Sequence, residues 1–154
     1  MVYINKLFKN FLIFFLTGFM SLAHAFNAQS PVGYWKTIDD ITGQPKSIVQ
    51  VYANGDQTLN GRVVKLLASG EDPNKLCTAC TGTRHNQKIV GMIVMEGMKA
   101  NGNKWDSGHI LDPKNGKTYR CTLRLINNGS DMQVRGYIGI SLFGRTQTWI
   151  RVNK

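Results

Sequence analysis

From residue 32 onward, apolar and polar side chains alternate in short runs separated by turn residues. The runs cover 32–37, 47–53, 58–66, 88–98, 104–111, 117–126, 131–140 and 146–153. A period of two marks a strand with one buried face, so the pattern predicts eight β-strands. Asn54-Gly55, Asn101-Gly102, Asn115-Gly116 and Asn128-Gly129 each fall between successive runs. Both residues of an Asn-Gly pair tolerate positive φ, which favours type I′ hairpin turns. A fifth pair, Asn60-Gly61, lies inside a run and predicts a bulge or sharp bend. Residues 92–99 carry the one weak helical pattern.

One hairpin can be registered from sequence. If Ile126 faces Asp131, then Tyr119, Cys121, Leu123 and Leu125 share a face with Met132, Val134, Gly136 and Ile138. Arg120, Thr122 and Arg124 then lie with Gln133, Arg135 and Tyr137 on the other face. A slip of one residue would turn the arginines inward, so the alternation fixes the pairing and sets Cys121 opposite Gly136. In 104–111 two phases compete. Gly108 and Ile110 face inward in one, Trp105 and Leu111 in the other, and the pattern leaves both open.

Eight antiparallel strands in a meander, each with one apolar face, remove their edges by closing. The expected fold is therefore all-β, an eight-stranded antiparallel barrel over residues 26–154. Such a barrel is just wide enough to be filled by side chains or to hold one small ligand. The connection 67–87 is too long for a hairpin and predicts a functional loop, a lid over the barrel mouth.

The first 25 residues read differently. Lys6 and Lys9 precede an uncharged run, 11–23, and Ala23-His24-Ala25 offers a small-x-small cleavage site. This is the pattern of a signal peptide cut before Phe26. The run is shorter than the roughly 20 residues of a spanning helix, so the cleaved protein is not expected to be integral to a membrane. Export to the periplasm is the expected location, with secretion as the further possibility.

The whole chain carries 19 basic and 9 acidic residues, net +10. Loss of Lys6 and Lys9 with the leader leaves seventeen against nine, or +8. The excess is scattered, which suits attraction to an anionic surface of the envelope. Nucleic-acid binding would need a basic stripe with stacking aromatics, so no nucleic acid is expected. Cys77, Cys80 and Cys121 are the three cysteines. In an oxidising compartment the Cys77-x-x-Cys80 pair is expected as a disulfide staple, which leaves Cys121 over.

Gly33-x-Trp35 in the first run and Arg151 in the last resemble the lipocalin and calycin pattern. That resemblance implies an arginine packed across the tryptophan where the barrel closes. A closer resemblance rests on three ordered blocks. The first is 33–37 (GYWKT) followed by Asp39-Asp40 and Thr42-Gly43. The second is Asp112-Pro113 with 116–119 (GKTY). The third is 134–139 (VRGYIG) leading to 143–149 (FGRTQTW). Together they resemble the family of small exported bacterial proteins known as domain-of-unknown-function family 2147. The resemblance implies a lipocalin-like barrel and supplies no catalytic residue.

The chemistry candidates follow. Trp35, Tyr119, Tyr137, Phe143 and Trp149 are candidate ligand contacts, aromatic walls for a small apolar or amphipathic molecule. No cofactor, metal or catalytic residue is expected in that reading. The alternative is a thiol–disulfide or metal site on Cys77, Cys80 and Cys121, with His85 as a further ligand or with His85 or His109 as a base. Asp106, Asp112 and Glu96 are weak candidates for a carboxylate pair. A solid barrel used to bind another protein is a third possibility.

Overall fold

The computed structural model of the protein describes residues 30–153. The leader and its cleavage site lie outside the described residues. Eight strands run in sequence order: β1 (Gly33–Ile38), β2 (Pro45–Ala53), β3 (Leu59–Leu66), β4 (Ile93–Asn101), β5 (Lys104–Asp112), β6 (Lys117–Ile126), β7 (Asp131–Tyr137) and β8 (Gly144–Val152). Each pairs antiparallel with the next, and β8 pairs back onto β1, so the sheet is a closed barrel. The four Asn-Gly pairs do lie at the hairpin connections. Only Asn128-Gly129 has both residues at positive φ. At Asn115-Gly116 the chain instead turns through Pro113, which suits the second position of a type I turn. Gly116 alone takes positive φ, and its N–H reaches Asp112 O at 2.8 Å.

The β6–β7 register is the one the alternation dictates, with Ile126 opposite Asp131 and Cys121 opposite Gly136. Cys121, Leu123, Met132 and Val134 are buried, while Arg120, Arg124 and Gln133 are exposed. In β5 both phases occur. Gly108 is buried opposite Cys121, and Trp105 packs on the core opposite Leu123. The register shifts between them, and Ser107 takes positive φ (64°). That bulge turns two consecutive inward positions into a three-residue step. Leu111 is out of phase with Ile110 yet also buried.

The bend expected at Asn60-Gly61 appears across the ladder, in β4. Asn60 accepts the Gly97 N–H at 3.0 Å, and Gly97 (φ 70°) is the extra residue between the Gly61–Met95 and Leu59–Met98 pairs. Two expected boundaries also shift. β4 begins at Ile93, not 88, because Lys88 pairs only with Leu76 and Gly91 turns at φ 96°. β7 stops at Tyr137, because Gly139 at φ 69° leaves the strand conformation. Residues 92–99 are strand rather than helix from Ile93 on.

One end of the barrel is sealed. Trp35 is fully buried and donates its indole N–H to Pro31 O at 2.7 Å. Met98, Leu123 and Met132 are fully buried as well. The other end is the mouth, ringed by the β1–β2, β3–β4, β5–β6 and β7–β8 connections.

Candidate functional site

A cavity of about 230 Å³ opens at the mouth. Val63, Val94, Ile110, Val134 and Trp149 supply its apolar wall, and Gly136 leaves space that any larger residue would occupy. Lys46, Asn115, Tyr119, Arg145 and Gln147 bring polar groups to it. Thus the barrel is neither hollow nor solid. Its sealed end is packed with Trp35, Met98, Leu123 and Met132, and its mouth end holds open space.

The polar groups are already ordered. Asp40 accepts from Arg145 Nε and from Gln147 Nε2 at 3.4 Å, and Gln147 in turn accepts the Trp149 indole N–H at 3.2 Å. This chain of bonds ties the β1–β2 connection to β8 and runs from the rim into the cavity. Burial alone would raise the Asp40 carboxyl, but the bond from Arg145, with those from its own backbone N–H and from Gln147, outweighs it and holds it below the usual value. Arg145 moves the opposite way, held charged chiefly by its bond to Asp40. Tyr119 accepts from the Asn115 amide at 3.0 Å.

Of the five aromatic candidates, the fold brings Tyr119 and Trp149 to the cavity. Trp35 does not line it, because it forms the sealed floor. Tyr137 points outward, in register with Arg120 across the polar face. Phe143 stands on the β7–β8 connection, 78% exposed. Lys46, Arg145 and Gln147 did not stand out in the sequence. Gln147 and Arg145 share a face with Trp149 at a spacing of two, the one signal that could have placed them.

The closure residues meet at the seam. Trp35 pairs with Arg151, and the Arg151 guanidinium carbon lies 4.2 Å from the Trp35 ring centroid. Gly33 opens β1 with φ 141°, beside Val51.

Cys77 and Cys80 are joined in a disulfide and buried. None of the residues of the 67–92 connection, expected as a lid, lines the cavity. The connection is fixed against β4 and against the β5–β6 connection at the rim. Arg84 pairs with Glu96 of β4, Cys77 Sγ lies 3.4 Å from Pro113 O, and Ala79 packs directly on Gly116. The disulfide therefore braces this connection.

The alternative chemistry is not assembled. Cys121 sits fully buried between Gly108 and Gly136, and burial pushes its thiol up to about 12, where no nucleophilic thiolate forms at ordinary pH. His85 Nδ1 is bonded to Cys80 O. No group of three or more His, Cys, Asp or Glu able to hold a metal ion occurs among the described residues. The three carboxylates do not converge. Asp106 bonds Asn101, Ser107 and Lys104, Asp112 caps its own turn through the Lys114 N–H, and Glu96 faces Arg84. No helix among the described residues is long and apolar enough to cross a membrane.

Comparison with solved structures gives Protein HP1028 from Helicobacter pylori, described as belonging to the lipocalin family. The two share 17% identity, with a TM-score of 0.70, over 81% of this chain and 84% of that one. At that identity the likeness speaks for the fold, a lipocalin-like barrel. No curated protein matches the chain. The family model described as "Uncharacterized protein conserved in bacteria (DUF2147)" matches residues 33–151, from the glycine that opens β1 to the arginine that closes the seam. The chain belongs to the DUF2147 family of bacterial proteins.

Proposed function

We propose that this is an exported, non-enzymatic binding protein that holds a small apolar or amphipathic molecule, or a component of the cell envelope, in the mouth of its barrel. The cavity carries this reading. Its wall is aliphatic and aromatic, while its polar groups are few and pre-ordered, as in sites that bind by burial and orient by a handful of hydrogen bonds. The volume of about 230 Å³ is small. Pockets for drug-sized ligands run from roughly 300 to 1,000 Å³, so the site takes a short molecule or one end of a longer one. The polar end of that ligand lies at Lys46, Asn115 and Arg145, and its apolar end against Val63, Val134 and Trp149.

Native mass spectrometry of protein purified gently from its own cells tests this. The expected spectrum shows a chain that begins at Phe26 with a small molecule retained. Gly136→Leu should return the apo mass alone. A Cβ at Gly136 would make only ordinary contacts, 3.5 Å from Ile110 and Tyr119, so the variant fills the cavity without breaking the wall. Wild-type protein that carries nothing, and takes up no long-chain fatty acid offered as a probe, would sink the reading.

A further inference from the structure

Large apolar side chains that stand exposed are normally scattered. Here they are not. Eight are exposed among the described residues, and four of them, Ile138, Ile140, Leu142 and Phe143, lie in the single connection between β7 and β8. Their exposures run from 61% to 78%. A fifth, Ile41 at 75%, stands on the neighbouring β1–β2 connection, which Asp40 ties to Arg145. Both connections border the cavity mouth, and Gly136 and Arg145, on either side of the β7–β8 tip, line the cavity itself.

The tip is held in this shape. Arg135 was expected on the polar outer face with Arg120 and Arg124. Instead it turns to the connection, donating from Nε and Nη2 to Ser141 O at 2.8 and 2.6 Å, from Nη2 to Leu142 O at 3.2 Å, and from Nη1 to Thr146 Oγ1 at 2.8 Å. Phe143 N–H closes on Ile140 O at 3.3 Å. The backbone acceptors are thus used on the inner side, and the apolar side chains are left pointing away.

We propose that this tip is a membrane hook, which seats the barrel mouth-down on an anionic lipid bilayer. Its clustered apolar exposure and its charge select that occupant. The tip presents four large apolar side chains within six residues of one connection, which suits the interfacial layer of a bilayer, where apolar side chains insert about 5–10 Å. Across 39–46, 112–117 and 135–145 there are five cations against three carboxylates, and Arg120 beside Tyr137 adds another cation. Long basic side chains at such a boundary keep their charge among headgroups while their stems follow the apolar surface. Seated this way, the cavity opens toward the lipid.

Flotation with vesicles of equimolar phosphatidylglycerol and phosphatidylcholine is the experiment. The protein should float with these vesicles, less so as salt rises, and bind phosphatidylcholine alone at least tenfold more weakly. Leu142→Ser with Phe143→Ser should cut binding about tenfold while the melting temperature holds, and Ile150→Ser, on the outside of β8, should change nothing. In Phe143→Trp the introduced indole should shift to the blue and be quenched by brominated acyl chains. Failure to float overturns the proposal. So does undiminished binding by the double serine variant, an indole that stays in water, or a concentration-dependent dimer that the double variant abolishes.

Discussion

Arg151 lies across Trp35 and is hydrogen-bonded on its far side to three carbonyls, Ser30 O and Gly129 O at 2.7 Å and Val32 O at 3.0 Å. The three acceptors come from the segment before β1 and from the β6–β7 turn, so one guanidinium ties both termini of the barrel to the turn that leads into the neighbouring strand β7. Burial lowers the Arg151 pKa, yet the group stays charged at any physiological pH.

Replacing Arg151 with Met should therefore destabilise the fold by about 2–4 kcal/mol. A stack of this kind is worth about 1–2 kcal/mol, and bonds from a charged donor about 1.5–3 each before exposure discounts them. Lys keeps the charge but not the planar fork, so Arg151→Lys should recover less than half of the loss. Thermal unfolding followed by circular dichroism measures both. Equal melting temperatures for wild type and Arg151→Met would show that the seam closes without this residue.

The Asp40 bonds to Arg145 and Gln147 predict a pH dependence. The folded pKa of Asp40 lies below its ordinary value of 3.8. Its stabilisation is therefore present above that value and is lost as pH falls through the lower, folded pKa. The pair is largely at the surface, so the effect is at most about 1 kcal/mol. Urea midpoints should show Asp40→Asn weaker than wild type at pH 7 and indistinguishable from it once Asp40 itself is protonated, well below pH 4. A gap that persists in acid would assign the effect to something other than this carboxylate.

Two glycines of similar conformation should respond unequally. Gly116 (φ 70°) and Gly139 (φ 69°) both disfavour a side chain by about 1–2 kcal/mol. A methyl at Gly139 meets nothing, whereas one at Gly116 overlaps the Ala79 carbonyl beside the disulfide. Overpacking adds about 1–3 kcal/mol there. Gly116→Ala should thus cost about 3 kcal/mol and expose the 67–92 connection to limited proteolysis, and Gly139→Ala should do neither. Like susceptibility in both variants would mean that the brace does not depend on this contact.

Cys121 should be silent. With its thiol pKa raised to about 12 by burial, a disulfide reagent at pH 8 should titrate no thiol in the native protein and one after denaturation. A fast native reaction would reveal an opening of the β5–β6–β7 wall.

The alternation in β6 and β7 made that hairpin legible to the residue, because both strands are regular and one face of each is apolar. The seam was legible through the resemblance carried by Gly33, Trp35 and Arg151. β5 was not, because its bulge sits at Ser107, a residue type that gives no warning of positive φ. The β7–β8 tip was misread as strand for a related reason. Ile138 and Ile140 continue the alternation of β7 perfectly well, and only Gly139 hints that the backbone has left it. The cavity was illegible for a topological reason. Lys46, Asn115 and Arg145 come from three separate connections or strand ends, and only closure of the barrel brings them to one rim.

The seam has a temporal side. β1 and β8 are joined by only three residue pairs, Tyr34–Val152, Trp35–Arg151 and Lys36–Ile150, each spanning well over a hundred residues of chain. Every other strand pair is a local hairpin or, for β3 and β4, a single longer connection. As the chain folds, the outer edge of β1 waits unpaired until the last strand arrives. Contacts of such separation form late and slowly. Until the seam forms, the folding protein is an open sheet with two free edges, the condition in which β-proteins are captured by chaperones or by one another.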